Sequence, residues 1–309
     1  MRTFAVVVTY NRKELLRECL DMILAQTCPV DKLILIDNAS TDGTGQMLTE
    51  GGYLDNPVFD YRLMENNLGG AGGFYEGLRI AGELGADWVW IMDDDTIPQE
   101  DSLAAIMSKT GQYPNAGFFA SCVMGPDGEP MNIPVIDKHK ADNGYEDWYM
   151  PMKDGMVKIQ TATFVSLLIN GKAIKKCGLP CKDFFIWGDD TEYTLRLTRH
   201  YGNAYLVGES WVCHKRFNAK CLGVQFEDDK KRLRNYHYLY RNTLIRAAKY
   251  DGGLYCALKL FKFELLSFRV LFFRRNGIHR FKAVQKGIFE FMFQYKKFSR
   301  FIDGELQGN

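Results

Sequence analysis

The sequence predicts an α/β domain, a parallel sheet with helices on both faces, followed by a basic amphipathic helical tail. Three observations carry this. Short, wholly apolar runs alternate with stretches of helical periodicity, the pattern of strands buried on both faces of a sheet. Each early run stops at a polar cluster, and one of them, Trp88-Val89-Trp90-Ile91-Met92, stops at three consecutive aspartates, Asp93, Asp94 and Asp95. The charge is also uneven. Residues 231–309 hold 17 Lys/Arg against 5 Asp/Glu, whereas the whole chain carries +1, so the first 230 residues sum to −11.

Phe4-Ala5-Val6-Val7-Val8 reads as a buried strand ending at Thr9-Tyr10-Asn11-Arg12. The segment from Lys13 to Gln26 has Leu15, Leu16, Cys19, Leu20, Ile23 and Leu24 at helical spacing. Leu33-Ile34-Leu35-Ile36 is a second strand. It ends in Asp37-Asn38 and a polar turn before a short helix from Gly45. A third strand runs from Phe59 to Met64, followed by Asn66-Asn67-Leu68-Gly69-Gly70-Ala71-Gly72-Gly73 and a helix from Phe74 to Leu84. In an open parallel sheet, ligands bind outside the carboxyl ends of the strands. Thr9–Arg12, Asp37–Asn38, Asn67–Gly70 and Asp93–Asp95 all follow predicted strands, so they are expected to line one crevice.

Taken alone, the aspartates have two readings. Three carboxylates at the end of a buried strand call for a cationic partner, and carboxylate oxygens suit Mg2+ or Mn2+. A solvated acidic turn is the other reading. The glycine run matches neither the dinucleotide fingerprint nor the P-loop. It is either a backbone cradle for a diphosphate or a flexible turn.

Downstream, a short helix from Gln99 to Lys109 and a strand from Gly117 to Met124 precede Gly125–Gly155. That stretch is rich in Gly, Pro, Asp and Asn and reads as an irregular insertion, a possible cover for an acceptor. Val157 to Asn170 is strand-like. An aromatic cluster, Phe184-Phe185-Ile186-Trp187, then precedes Gly188-Asp189-Asp190 at the start of a helix. The carboxylates there are either helix caps or a general base in a partly desolvated cleft. After a strand at Ala204 to Val207 comes Trp211-Val212-Cys213-His214, whose histidine can complete a metal site begun by distant aspartates.

From about Phe226 the chain is helical, with Leu233, Tyr236, Tyr240, Leu244 and Ile245 at helical spacing. From Leu258 to Phe273 apolar residues dominate, flanked by Lys259, Lys262, Arg269, Arg274 and Arg275. Basic amphipathic helices bind anionic membrane surfaces. Packing on the core or against a second copy is the alternative. The 8 cysteines show no zinc spacing and are expected as free thiols in a reducing compartment. Neither a signal peptide nor a membrane-spanning run is expected. The protein is expected in the cytoplasm, peripheral on the inner face of the cell membrane.

Together, VVVTYNR, LILIDNASTDGT, IMDDD and FFIWGDDTEYTLRL with a later histidine resemble, in order and spacing, the inverting family 2 glycosyltransferases. The resemblance covers roughly Arg2 to Arg216. NNLGGAGGFYEG, the full DDD and WGDD are most similar to bacterial galactofuranosyltransferases, with rhamnosyltransferases of polysaccharide assembly close by; YLYRNTL (238–244) is also similar to that subgroup.

The resemblance implies a GT-A, Rossmann-like fold: a mixed, mostly parallel sheet flanked by helices, with a catalytic domain at 1–225 and the amphipathic tail at 226–309. It also implies roles. Thr9, Asn11 and Arg12 would border the nucleotide, and Asp37 and Asn38 the base or ribose. Asn67 and the glycines, Gly70 among them, would face the diphosphate and donor sugar. Asp93, Asp95 and His214 would hold Mn2+ or Mg2+, with Asp93 bridging to the nucleotide and Asp94 joining the substrate set without a defined task. Asp190 would be the catalytic base, with Asp189 and Trp187 shaping the pocket. The family commonly has Glu-Asp where this chain has Asp189-Asp190, so a register slip of one makes Asp189 the base.

The implied activity is metal-dependent, inverting transfer of galactofuranose from UDP-galactofuranose to a glycan or glycolipid acceptor, a lipid-linked or cell-surface precursor. A dTDP-rhamnose-dependent transferase is the near alternative. A non-catalytic glycan- or sugar-nucleotide-binding protein is the alternative of another class, opposed by the intact Asp93, Asp95, Asp190 and His214 set. No nucleic-acid motif accompanies the basic tail, so no nucleic-acid partner is expected. A homo-oligomer is possible on the tail's apolar surface.

Overall fold

The structure, a computed structural model, describes residues 1–216 and 222–304. The chain divides into two compact units. The first comprises Met1–Lys182 and the chain from Tyr193 through the last strand of the sheet. The second comprises the short segment Asp183–Glu192 and the C-terminal helices.

The first unit is built on one sheet. Its strands are β1 (Thr3–Thr9), β2 (Lys32–Asp37), β3 (Phe59–Leu63), β4 (Trp88–Asp93), β5 (Thr96–Pro98), β6 (Phe118–Met124), β7 (Val135–Ile136), β8 (Met156–Thr161), β9 (Leu167–Asn170) and β10 (Ala204–His214). Their order is β3-β2-β1-β4-β9-β6-β10-β8-β7, with β5 paired to β10. β3, β2, β1 and β4 are mutually parallel. β9 lies antiparallel between β4 and β6, which makes the sheet mixed. β10 is parallel to β6 and antiparallel to β8 and β5. The stretch from Val157 to Asn170 is therefore two strands rather than one. The two runs around Ala204 and Trp211 are one strand with an irregularity between Val207 and Trp211.

Alternation along β1 explains the two-faced burial. Phe4, Val6 and Val8 enter one core; Ala5 and Val7 enter the other. Helix α1 (Lys13–Leu24) brings Leu16, Cys19, Leu20 and Ile23 to the second core, joined there by Met47 and Leu48 of α2 (Thr44–Glu50). Helix α3 (Gly69–Glu83) brings Phe74 and Leu78 to the first. Helix α4 (Ser102–Thr110) supplies Leu103 and Ile106 to the second core, and α5 (Gly171–Cys177) supplies Ala173 and Ile174 to the first. Helix α6 (Asp189–His200) adds Tyr193 and Leu197 to the first core.

The glycine run departs from its expected form. Helix α3 begins at Gly69, not after the run, so most of these glycines are helical. A Cβ on Gly73 would overlap Cγ1 of Val8, and one on Gly77 would overlap Cγ1 of Val6. The glycines let the helix backbone lie directly on β1, and that close approach sets where the helix N-terminus meets the strand ends.

The second unit holds α7 (Lys230–Leu233), α8 (Tyr236–Arg246), a π turn (Ala247–Asp251), α9 (Gly253–Phe273) and α10 (Gly277–Ile302). Leu233, Tyr236, Tyr240 and Leu244 form its core with Val270, Val284 and Ile288. Gly287 of α10 lies so close to α8 that a Cβ there would sit 2.6 Å from the His237 carbonyl oxygen. The outward face of α9 carries Leu254, Leu258, Phe261, Leu265, Phe268 and Phe272, all exposed. No helix among the described residues is long and apolar enough to cross a membrane.

Candidate active site

In the first unit the acidic triplet is distributed over a strand end and a turn. Asp93 is the last residue of β4, and Asp94 and Asp95 turn the chain into β5. β5 pairs with the end of β10, with Thr96 opposite His214. That pairing brings a histidine about 120 residues downstream in sequence back to the aspartates. Asp93, Asp95 and His214 each offer a ligand atom, and these atoms lie within 4.8 Å of one another. Asp95 and His214 are both buried.

Two features of this cluster fit a hard divalent cation. Nδ1 of His214 is 2.8 Å from Oδ1 of Asn132, an atom that only accepts, so Nδ1 is the donor. In the neutral ring Nε2 then presents its lone pair toward Asp95, the arrangement a ligating imidazole needs. Oδ1 of Asp95 lies 3.1 Å from that Nε2, yet it is a buried oxygen with no hydrogen bond. A carboxylate oxygen and an imidazole nitrogen held together without a shared hydrogen bond leave the place a cation takes. Oxygen and imidazole donors suit Mn2+ and Mg2+.

Arg12 extends the network. Its Nη1 pairs with Oδ2 of Asp95 and lies 3.3 Å from Oδ1 of Asp94. Burial opposes the charge on Asp95, but positive charge beside it, at His214 when the ring carries both protons and at Arg12, outweighs burial and holds the carboxyl below its usual range. Asp94 differs. Burial pushes its carboxyl up to about 6, against the Arg12 charge and the hydrogen bonds from Thr9 and Tyr10. Thr9 Oγ1 donates to Asp94 Oδ2 at 2.7 Å. Asp94 therefore ties the end of β1 to the end of β4, while its neighbours face the histidine.

The other strand ends are as ordered. Asp37 closes β2 and is buried; it accepts from Ser40 N at 2.8 Å and from the Tyr61 hydroxyl at 2.9 Å. Asn38 donates from Nδ2 to the Gly69 carbonyl at 3.0 Å, and its Oδ1 is buried without a hydrogen bond. Asn11, at φ 54°, accepts from Thr41 N at 2.7 Å and so joins the loops after β1 and β2. Asn67 accepts from Gly69 N at 2.7 Å and closes the turn into α3. Gly70 has open space where a side chain would be.

The second unit holds the other predicted residues. Asp189 and Asp190 open α6, with Asp189 buried and Asp190 partly exposed. Burial first, and then the neighbouring Asp190 charge, push the Asp189 carboxyl up; burial also raises that of Asp190. The loop before them is strained. Phe185 (φ 64°) and Trp187 (φ 62°) are both left-handed, as is Gly188 (φ 94°). Such a conformation costs on the order of 1–3 kcal/mol at a non-glycine residue and persists only where surroundings enforce it. Phe185 stacks on Tyr238 with ring centroids 4.8 Å apart, and Trp187 packs on Tyr236 at the same separation.

Sequence reasoning missed Asn132, which stands at φ 48° in the irregular 125–155 stretch. Nothing local marks it, since its role follows from a contact 82 positions away. It also gives no role to Arg241 and Asn242, although both lie in the YLYRNTL segment.

This architecture, with an acidic strand end and a histidine at the carboxyl edge of a mixed sheet, is the GT-A glycosyltransferase fold. Solved structures agree: Staphylococcus aureus TarS 1-349 in complex with UDP superposes with a TM-score of 0.56 at 14% identity, over 98% of this chain and 88% of that one. GalNAc-T7 with UDP, GalNAc and Mn2+ superposes with a TM-score of 0.54 at 15% identity, over 84% of this chain and 54% of that one. The chain belongs to glycosyl transferase family 2, whose model matches residues 4–165. It is 30% identical over 202 residues to galactofuranosyltransferase GlfT1 of Mycobacterium tuberculosis, covering 63% of this chain and 64% of that protein. It thus spans less than two thirds of that relative's length. It is 29% identical over 251 residues to the GlfT1 of Mycolicibacterium smegmatis, covering 77% and 80%.

Proposed function

We propose that this protein is an inverting glycosyltransferase moving galactofuranose from UDP-galactofuranose to a hydroxyl of a lipid-linked or cell-surface polysaccharide precursor. The observation that carries the reading is the convergence of Asp93, Asp95 and His214 at the carboxyl edge of a family 2 domain. The donor rests on the likeness to galactofuranosyltransferases.

In this reading Asp93, Asp95 and His214 hold Mn2+ or Mg2+. Such an ion, when bound, supplies positive charge for the departing nucleoside diphosphate. Asp37 and Asn38 contact the base or ribose; the unpaired Oδ1 of Asn38 is the acceptor ready for a ligand N–H or O–H. Thr9, Asn11 and Arg12 border the nucleotide. Arg12 adds a guanidinium at the acidic cluster, where it balances carboxylates and meets phosphate oxygens. Asn67, Gly70 and the start of α3 face the diphosphate and sugar.

Asp190 takes the proton of the acceptor hydroxyl. The acceptor oxygen forms its bond to the anomeric carbon from the face opposite the diphosphate. The old carbon–oxygen bond breaks, and its electron pair leaves with UDP. One displacement inverts the centre and needs no covalent intermediate. Asp189 and Trp187 shape the pocket around that hydroxyl. Burial raises both carboxyls, which supports a base that holds its proton more tightly than a solvated aspartate does.

The exposed apolar stripe on α9, with Lys262, Arg269, Arg274 and Arg275 exposed beside it, supports peripheral contact with an anionic membrane, where a lipid-linked acceptor resides. Thermal unfolding with UDP, dTDP and Mn2+, singly and combined, tests the nucleotide reading. A rise that needs UDP and Mn2+ together is expected. A larger response to dTDP redirects the donor toward dTDP-rhamnose, and no response to any nucleotide contradicts both.

A further inference from the structure

Within the second unit one amide holds the whole approach to the carboxylate pair. Asn242, on α8, is fully buried. Its Nδ2 faces three backbone carbonyls of one loop: Phe184 at 3.0 Å, Ile186 at 3.2 Å and Trp187 at 2.7 Å. Its Oδ1 accepts from Nε of Arg241 at 2.9 Å. Arg241, also buried, sends Nη2 to the carbonyls of Asp183 at 2.8 Å and Phe184 at 3.2 Å. Two adjacent side chains thus gather the carbonyls of Asp183, Phe184, Ile186 and Trp187, and the Phe184 carbonyl also accepts from the Ile186 amide at 2.7 Å across Phe185.

The gathering explains the strain. Phe185 and Trp187 are left-handed at alternate positions, and Gly188 continues the left-handed turn into Asp189. Left-handed residues rotate the intervening peptide planes, and that rotation is what turns several carbonyls toward one donor group. A loop free in water has no reason to keep two aromatic residues there. Phe185 on Tyr238 and Phe184 on Phe298 add packing but fix no peptide plane.

We propose that Asn242, locked by Arg241, is a positioning residue that holds the Phe184–Gly188 loop in its left-handed form and so aims the carboxylate of Asp190. The inference rests on the reading of Asp190 as the base. Asn242 is buried behind the loop and acts through it. A carboxylate at position 242 keeps the volume and loses the donor, placing negative charge among three carbonyl oxygens.

The test compares wild type, Asn242→Asp, Asn242→Ala and Asp190→Asn by three measurements. They are UDP affinity in Mn2+, hydrogen exchange over residues 184–190, and turnover of the donor identified by a sugar-nucleotide screen. For Asn242→Asp the expected result is faster exchange confined to that loop, UDP affinity within about threefold of wild type, and kcat lowered about 10²-fold, the scale of a 1 Å misplacement. Asn242→Ala, which removes the donor without adding charge, is expected to retain more turnover than Asn242→Asp. Unchanged exchange in Asn242→Asp overturns the inference, as does faster exchange with wild-type kcat, or a parallel loss of kcat and UDP affinity. Asp190→Asn with wild-type turnover would instead sink the base assignment, whatever position 242 does. If Asn242→Asp does not fold, Arg241→Lys carries the same test, since it keeps the charge and loses the paired grip on Asp183 and Phe184.

Discussion

Nδ1 of His214 donates to Oδ1 of Asn132 at 2.8 Å, so a residue of an irregular insertion fixes which nitrogen of the histidine faces Asp95. Partners of this kind orient metal-ligating imidazoles, and losing one typically weakens metal binding about 10–100-fold. Asn132→Ala is therefore expected to weaken Mn2+ binding by that factor while leaving the unliganded protein's unfolding temperature nearly unchanged. Calorimetric titration with Mn2+ and UDP checks it. Unaltered affinity would remove Asn132 from the metal reading.

Asp95→Asn keeps the shape of the site and removes the charge shared by His214 and Arg12. The expected outcome is loss of the joint stabilisation by UDP and Mn2+. For a ligand at 100 times its Kd that stabilisation is about 2.7 kcal/mol. A variant that UDP and Mn2+ still stabilise as strongly as wild type contradicts the ligand role.

The glycines of α3 separate into two groups. Gly73→Ala and Gly77→Ala put a methyl into Val8 and Val6 of β1 and are expected to destabilise by about 1–3 kcal/mol. Gly70→Ala meets open space and is expected to leave stability equal or raised by up to about 1 kcal/mol, while weakening UDP-sugar binding. Urea denaturation of the three variants, with nucleotide titration of the last, decides between packing and ligand contact.

The raised carboxyls of Asp189 and Asp190 carry a sign that kinetics can read. A base must be deprotonated, so transfer is expected to rise with pH along a limb lying above the ordinary carboxylate range of about 4. Stability runs the other way. The folded pair binds protons more tightly than the unfolded chain, so its contribution to stability is largest at low pH. It declines as pH climbs from the unfolded value through the raised folded one. A limb at the ordinary value would show that the pair is solvated during turnover.

The outward stripe of α9 is expected to bind lipid rather than to fill a core. Phe261→Ser with Phe268→Ser should reduce sedimentation with anionic vesicles severalfold and leave UDP affinity intact, because both rings are exposed. Sedimentation unchanged by the pair, together with a shift in oligomeric state, would assign the stripe to a second copy of the chain.

The strands and their polar ends were legible because β1, β2 and β4 each have a continuous buried apolar interior, Phe4–Val8, Leu33–Ile36 and Trp88–Met92, with a polar residue directly after it. Asp93, Asp95 and His214 were legible as residue types, yet their meeting depends on the pairing of β5 with β10, which no local pattern encodes. The glycine run misled because helical glycines and loop glycines look alike in sequence; only the contact with Val6 and Val8 tells them apart. Asp94 had no task legible in the sequence, because its ties to Thr9 and Arg12 reach more than 80 positions back along the chain. Asn132 and Asn242 were invisible for one reason: each acts on a partner more than 50 positions away, through a single polar atom.

The most direct test of the central claim is product mass after incubating the protein with Mn2+, a panel of sugar nucleotides and an alkyl glycoside or lipid-linked acceptor. The expected result is one added hexose from UDP-galactofuranose, abolished by EDTA and by Asp190→Asn. Transfer that persists at the wild-type rate in both conditions, or no product from any UDP-sugar while another nucleotide sugar reacts, would contradict it.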